Sequence, residues 1–361
     1  MLIEKSIIDI KNLTTMHLPA MVTVFHIKNQ IDVFSFFENP VNSTNTENIF
    51  ILGGGSNLII SPEIKNKTIL KIEIKGIDII SENNEEVLVK IGAGENWDDF
   101  VLWSVNNNYS GVEALSAIPG NVGATPVQNV GAYGIEIKDV LASINAYDTE
   151  LKKVVNLNND ECDFSYRNSI FKEEKPNGEK GRYIILDITL KLNKVNLPNN
   201  IKIPDYEAVR VYLKEKDITN PSLLDIRNAI IDIRWSKLPH PEILPNCGSF
   251  FKNPIIKREL AEKIKEEYID LPIFEINANT TGSTRQDLVQ DKVKVSAGYL
   301  IEKLDLKGFD FGNVKTYEKN ALVLVNHNNA SYNDIVDAKN IIIEKVKNTF
   351  NIDLETEPEF V

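Results

Sequence analysis

Three glycine-rich segments, and the polar side chains beside them, hold most of the chemistry this sequence could perform. The first, Leu52-Gly-Gly-Gly-Ser-Asn57, lies between two apolar runs. Consecutive glycines let successive N–H groups turn toward one anion, and Ser56 adds a hydroxyl donor; a plain hairpin turn has the same composition. It is not the dinucleotide-binding fingerprint, because Leu58 stands where the third glycine belongs and no helical pattern follows. The second, Gly92-Ala-Gly-Glu-Asn-Trp97, leads into Asp98 and Asp99. Carboxylates there favour a helix N-terminus and repel phosphate, so the segment reads as a strand-to-helix turn that supports something else. The third runs from Ala114 to Ile135 without a charged side chain, bracketed by Glu113 and Glu136. In a chain that is 25% charged, such a stretch must be buried or covered. Its Pro, Gly, Asn and Gln suit neither a core strand nor a membrane span. Buried irregular backbone needs hydrogen-bond partners. A large planar ligand such as an isoalloxazine ring would supply them, meeting Thr125, Gln128 and Asn129 at its carbonyls and nitrogens. A self-satisfied Ω-loop is the other reading.

These segments need elements to position them. Strand-like runs fall at residues 21–27, 48–52, 58–60, 68–74, 86–91, 140–147 and 183–192. Helical patterning covers 31–37, 97–106, 222–235, 258–267, 297–303 and 333–350, the last with an apolar stripe from Ile335 to Phe350. The two types mix without regular βαβ alternation, which predicts an α+β fold. Linker-like stretches lie at 173–181, 193–204 and 277–290, and the Pro-containing stretch 237–245 marks a boundary before a C-terminal domain.

Bulk properties narrow the function classes. At 361 residues the chain is long enough for two or three domains. A net charge of −12 argues against nonspecific nucleic-acid binding, so an anionic substrate requires a local basic pocket. Two cysteines, Cys162 and Cys247, imply no disulfide framework, and four scattered histidines show no metal-ligand spacing. The N-terminus lacks a signal-peptide pattern, and no run is long and apolar enough to span a bilayer. A cytoplasmic protein without metal is the expectation.

Five motifs in order carry a resemblance: Leu52-Gly-Gly-Gly-Ser-Asn57; Gly92-Ala-Gly-Glu-Asn-Trp97; Ile118-Pro-Gly-Asn-Val-Gly-Ala-Thr-Pro-Val-Gln-Asn-Val-Gly-Ala-Tyr-Gly134; Phe164-Ser-Tyr-Arg-Asn-Ser-Ile-Phe-Lys172; and Gly248-Ser-Phe-Phe-Lys-Asn-Pro254. Together they resemble the UDP-N-acetylenolpyruvoylglucosamine reductases, in the longer of that family's two forms, over nearly the whole chain. The resemblance implies three α+β domains: 1–72 and 73–238 forming an FAD site of the vanillyl-alcohol-oxidase type, and 239–361 covering the substrate with a tail that returns to the active site. It implies noncovalent FAD, with NADPH as reductant. Gly53, Gly54, Gly55, Ser56 and Asn57 would hold the pyrophosphate. Ile118, Pro119, Gly120, Gly123, Ala124, Thr125, Gln128, Asn129, Gly131, Ala132 and Tyr133 would cradle the flavin.

The implied reaction is hydride transfer from NADPH through FAD to the enolpyruvyl ether, giving UDP-N-acetylmuramate. Hydride at the methylene carbon pushes negative charge into the substrate carboxylate, where a bidentate guanidinium stabilises it best. Arg167 matches the family's catalytic arginine. The enolate carbon then needs a proton, and Ser249 matches the family's donor; a hydroxyl is a weak acid, so Lys252 and Asn253 are candidates to polarise or orient it. Glu359 aligns with the catalytic glutamate, with Glu357 as its rival, and would act protonated or through water. Tyr206, Lys237, Asn253 and Tyr133 are the implied substrate contacts, with Lys237 and Asn253 at the diphosphate. No nucleic acid or membrane is expected as a partner, and the chain is expected to act as a monomer. Three other readings remain: a flavoenzyme of the same fold acting on an alcohol, a hydrolase using Cys247 or Ser249 with His240, and a noncatalytic sugar-nucleotide binder. Against the first, the glycine-rich segments contain no His or Cys for covalent flavin attachment. Against the second, there is no G-x-S-x-G elbow.

Overall fold

The helix Trp97–Asn106 shows how local sequence builds the scaffold. Asn96 caps it by accepting from the Asp99 N–H (3.0 Å), and Asp98 and Asp99 oppose the macrodipole in the first turn. Trp97, Phe100, Val101, Ser104 and Val105 then fall on one buried face. The Trp97 indole N–H donates to the Leu115 carbonyl (3.0 Å), which fixes the helix beneath the uncharged segment.

The structure is a computed structural model that describes residues 3–39, 48–176, 178–195, 201–276 and 291–361. The linker-like stretch at 277–290 lies outside the described residues. The chain divides into two compact units. One comprises Met1–Ile8, Val22–Gly54 and Asn66–Ser236; the other comprises Asp9–Met21, Gly55–Lys65 and Lys237–Val361.

In the first unit a four-stranded sheet runs Glu4–Asp9, Met21–Ile27, Thr68–Ile72, Ile49–Leu52, with the last three strands parallel. A separate antiparallel sheet runs Lys153–Asn158, Leu141–Asp148, Tyr183–Lys194, Glu86–Gly92, Ile77–Glu82, with Tyr109–Ser110 added beside Tyr183–Lys194. Alternating inward residues such as Val87, Val89 and Ile91, together with Ile184, Leu186, Ile188 and Leu190, build the main core with Trp97 and Phe100. A smaller core joins Val209 and Leu213 of the helix Glu207–Glu215 to Ile226, Ala229, Ile230 and Ile233 of the helix Leu223–Lys237. Ser222 and Asp225 cap the latter reciprocally.

In the second unit, Asn246–Ser249 pairs with Asn320–Asn326, which pairs with Val314–Tyr317, all antiparallel. A second sheet runs Ile255–Lys257, Lys292–Val295, Ile273–Glu275. The helix Tyr332–Phe350 opens on a capping box between Ser331 and Asp334 and ends at a left-handed Asn351. Finally, Glu359–Phe360 runs parallel to Leu58–Ile59. That pairing explains why Gly55–Lys65 belongs with the C-terminal residues. Segregated parallel and antiparallel sheets with helices make the fold α+β, as the sequence predicts.

Candidate active site

The uncharged segment is an irregular bed whose backbone is tied to its surroundings. Gly92–Asn96 buttresses it: Val122 N–H donates to Glu95 O (2.9 Å), Gly123 N–H to Ala93 O (2.9 Å), and the Asn121 amide to Gly94 O (3.2 Å). Thr125 is buried and spends its hydroxyl on Val122 O (2.7 Å). Gln128 accepts from Lys172 (3.3 Å). Asn129 is buried; its amide donates to Glu136 (2.9 Å) and Ser165 O (3.1 Å), and its oxygen accepts from the Lys138 N–H (3.2 Å). Its side chain therefore braces the bed from within. Ile118, Pro119, Gly120, Gly123, Gly131, Ala132 and Tyr133 keep partial exposure, whereas Ala124 packs toward Gly53.

Ala117, Asn129 and Tyr133 all adopt left-handed backbone (φ 57°, 47° and 53°), as does Arg167 (φ 57°). Left-handed residues with side chains cost free energy and gather where a site over-determines the chain. Arg167 occupies a tight turn in which Ser165 and Asn168 exchange backbone hydrogen bonds (3.1 Å each). From there its Nη2 donates to Gly131 O (2.7 Å), so the guanidinium sits against the bed. Tyr133 meets Tyr206 edge-to-face, with centroids 5.0 Å apart at 85°. Tyr206 stands just before the helix Glu207–Glu215.

The first glycine-rich loop is clasped separately in each unit. A Cβ on Gly54 would overlap the Gly120 backbone, so only glycine permits this close pass beside the bed. Lys71 draws back the Gly53 carbonyl by donating to it. Gly55, at φ 66°, lies so close to the Leu13 carbonyl that any side chain would collide. Its own carbonyl accepts from Thr15 N–H (3.1 Å), and the Thr15 hydroxyl donates to Ser56 O (3.3 Å). Beside them the Thr14 hydroxyl is buried, with no hydrogen-bond partner among the described residues. Within the second unit, the Gly55 turn and the Thr14 hydroxyl fit a cofactor diphosphate, whose oxygens are acceptors that would satisfy loop N–H groups and an orphaned donor.

The C-terminal tail closes on the same loop. Asn57 donates its amide to the Glu357 carbonyl (3.2 Å), and the Glu359 N–H donates to Asn57 O (3.0 Å). Glu357 N–H in turn donates to Phe250 O (2.9 Å), the residue after Ser249. Phe360 packs its ring against Phe250 (6.2 Å) and Tyr332 (6.1 Å). The tail thus links Ser56-Asn57, Glu359 and the Ser249 strand within one unit. Lys252 is engaged by Glu355 (3.1 Å), and the Asn253 side-chain oxygen accepts from Ala297 N–H (3.0 Å). Lys237 is exposed at the end of its helix. Burial pushes the Cys247 and Cys162 thiols up to about 12, which removes Cys247 as a thiolate nucleophile.

Several neighbours escape a reading of the sequence. Asp98 accepts from the Ala117 N–H (2.6 Å) and takes Arg227 bidentately (2.6 and 2.8 Å), fixing the edge of the bed to the helix Leu223–Lys237. Lys71, Thr14 and Arg234 likewise stand in ordinary-looking segments; only their three-dimensional neighbours give them meaning.

The glycine-rich loop and the uncharged segment both fall in the part of the chain that a flavoprotein profile matches. A profile described as "FAD binding domain" matches residues 41–156, and one described as "UDP-N-acetylenolpyruvoylglucosamine reductase, C-terminal domain" matches 239–361. The UDP-N-acetylenolpyruvoylglucosamine reductase of Flavobacterium johnsoniae is 39% identical over 97% of this chain and 97% of its own. That of Alcanivorax borkumensis is 36% identical over 97% of this chain and 94% of its own. The chain belongs to the UDP-N-acetylenolpyruvoylglucosamine reductase family. The crystal structure of the Thermus caldophilus enzyme shares the fold, with TM-score 0.65 over 99% of both chains at 18% identity.

Proposed function

We propose that this chain reduces the enolpyruvyl group of UDP-N-acetylglucosamine enolpyruvate to UDP-N-acetylmuramate, with FAD as cofactor and NADPH as reductant. The full-length similarity to reductases of this name carries the reading. Bound FAD supplies the chemistry of accepting a hydride from NADPH and passing it to the enolpyruvyl double bond.

The residues of the chain do the rest. Arg167, held against Gly131, is the guanidinium that would bind the substrate carboxylate and stabilise the charge that grows there. Ser249 places a hydroxyl for the carbon that must be protonated; its backbone pairs with the strand at Val323, and among the described residues its side chain has no hydrogen-bond partner, so its Oγ is available to substrate or water. Glu359 would hold or relay that proton at its carboxyl, and the pinning of the tail on both sides supports the assignment. Glu357, whose carbonyl meets Asn57 and whose N–H meets Phe250 O, is the rival assignment. Tyr206 over Tyr133 would close on the nucleotide, with Lys237 and Asn253 at its diphosphate. Among the described residues no helix is long and apolar enough to cross a membrane, and the reading is of a monomeric cytoplasmic enzyme.

An alcohol-oxidising flavoenzyme is not favoured, because the bed contains no His or Cys and the Ser249 motif suits protonation of an enolate. The deciding experiment is optical. Purified protein should be yellow and bleach anaerobically with NADPH. Colour should return with the enolpyruvyl substrate and not with an alcohol. A colourless chain that FAD cannot reconstitute overturns the reading.

A further inference from the structure

Arg167 is held at two ends. Its backbone sits at φ 57° in the turn where Ser165 and Asn168 exchange hydrogen bonds, and its Nη2 donates to Gly131 O (2.7 Å). Gly131 belongs to a short hairpin in which Gly131–Ala132 pairs antiparallel with Ile135–Glu136, with Gly131 opposite Glu136. Where the guanidinium stands therefore depends on how the turn and the hairpin are set against each other. A long side chain with several rotatable bonds does not fix that relation by itself.

One fully buried side chain reaches both segments. Asn129 donates its amide to Ser165 O in the turn (3.1 Å) and to the Glu136 carboxylate in the hairpin (2.9 Å), and its oxygen accepts from the Lys138 N–H (3.2 Å). An asparagine amide has two N–H donors, so both are spent inside the protein. Lys138 Nζ holds the same Glu136 carboxylate (3.1 Å), which fixes the hairpin end of the link. Two further bonds, Ser169 Oγ to Val127 O (2.6 Å) and Lys172 to Gln128 (3.3 Å), fasten the chain beyond the turn to residues outside the hairpin. Asparagine tolerates left-handed backbone such as its φ of 47° here, and that tolerance alone would account for its presence in a tight bend. It does not account for two donors that end in separate segments, both of which hold Arg167.

We propose that the Asn129 side chain is a positioning residue for Arg167 rather than a donor to the flavin. It registers the turn that carries the arginine against the hairpin on which the guanidinium rests. The inference rests on the reading of Arg167 as the group that binds the substrate carboxylate. A guanidinium lowers the barrier most when it already stands where the charge will grow, and a misplacement of about 1 Å can cost about 10²-fold in rate.

The test is a double-mutant cycle read in the two half-reactions of FAD-loaded protein. Asn129→Gly removes the amide and suits the left-handed backbone. It should slow reoxidation by saturating enolpyruvyl substrate about 10–100-fold more than it slows bleaching by NADPH. In an Arg167→Ala background the same change should alter reoxidation by less than about twofold, because a residue that acts only through Arg167 has nothing left to place. Equal slowing of both half-reactions by Asn129→Gly overturns the proposal. So does an undiminished penalty in the Arg167→Ala background, which is what a general loss of structure would give. If Asn129→Gly does not fold or hold FAD, Glu136→Ala decides, since it removes the hairpin end of the link and leaves the backbone pairing with Gly131 in place. It should show the same bias toward reoxidation and lose it in the Arg167→Ala background. Wild-type reoxidation in Glu136→Ala, or a penalty that persists without Arg167, overturns the proposal. Reoxidation at the wild-type rate in Arg167→Ala alone would instead overturn the reading of Arg167 on which the inference stands.

Discussion

Between Ala114 and Ile135 the hydrogen-bond partners of the chain lie at most 44 residues away, from Val122 for Thr125 to Lys172 for Gln128. Glu359 is placed in the opposite way, on a tail whose amide and carbonyl contacts reach Asn57, 300 residues before Glu357. Closing a local loop costs little entropy and closing a long one costs more, so the bed can form early while the tail waits for the rest of its unit. The difference has a functional side. The buried Thr125 and Asn129 side chains of the bed are paired within the protein, whereas the backbone of the tail rests on a loop that the proposed cofactor diphosphate would also contact. Cofactor and tail are therefore expected to order one another through Asn57.

That contrast can be broken at its chemical end first. Ser249→Ala should slow reoxidation of the flavin by the enolpyruvyl substrate by about 10²–10⁴-fold, the usual reach of a positioned acid, and leave NADPH-driven bleaching intact in stopped-flow traces. Equal loss in both half-reactions would make Ser249 structural. Removing residues 358–361 should slow the same half-reaction by roughly 10–100-fold, less than a lost donor because water can substitute, with flavin reduction spared. Wild-type turnover in that truncation would move the carboxylate role to Glu357.

The bed side responds in another observable. Gly54→Ala forces a Cβ into the Gly120 backbone. Strain of about 1–3 kcal/mol should weaken FAD binding by roughly 5–150-fold in a titration of apoprotein, while the exchange protection of the tail amides without FAD stays unchanged. Loss of tail protection would show that bed and tail are not separable. The smallest effect is expected at Asp98. Burial acts to raise its pKa, but the Arg227 fork and the Ala117 N–H outweigh it and hold the carboxyl below its usual range. A depressed folded-state pKa contributes stability above the unfolded-state value, about 3.9, and loses it as pH falls through the lower folded value. The gap in melting temperature between wild type and Asp98→Asn should therefore shrink steadily from pH 5 to pH 3. A constant gap would remove the ion pair as its source.

Elements with a long pattern were legible from the residues. The helices Trp97–Asn106 and Arg258–Glu267 and the strand Met21–Ile27 begin and end where periodicity and capping residues put them. The C-terminal strands were not. Lys292–Val295 and Val314–Tyr317 offer four residues of alternation, too few to distinguish from chance, and the strand Glu359–Phe360 exists only because Leu58–Ile59 lies alongside. The helix Glu207–Glu215 also went unread, because its nine residues make only about two and a half turns, too short for a helical period to stand out.

At the site, composition alone marked the bed, since an uncharged glycine- and proline-rich stretch in a chain that is 25% charged has to be covered by something. The motif resemblance alone named the chemistry of Arg167 and Ser249. What the residues could not disclose were relations that depend on who has already been paired. Arg227 and Arg234 are indistinguishable as letters, and so are Thr14 and Thr15. Among the described residues, folding gives Arg227 both oxygens of Asp98 and leaves the Nε of Arg234 without a hydrogen bond. It gives the Thr15 hydroxyl the Ser56 carbonyl and leaves that of Thr14 without one. Local sequence decides which groups can make hydrogen bonds and in what conformation; only the tertiary structure decides which of them are still waiting for one.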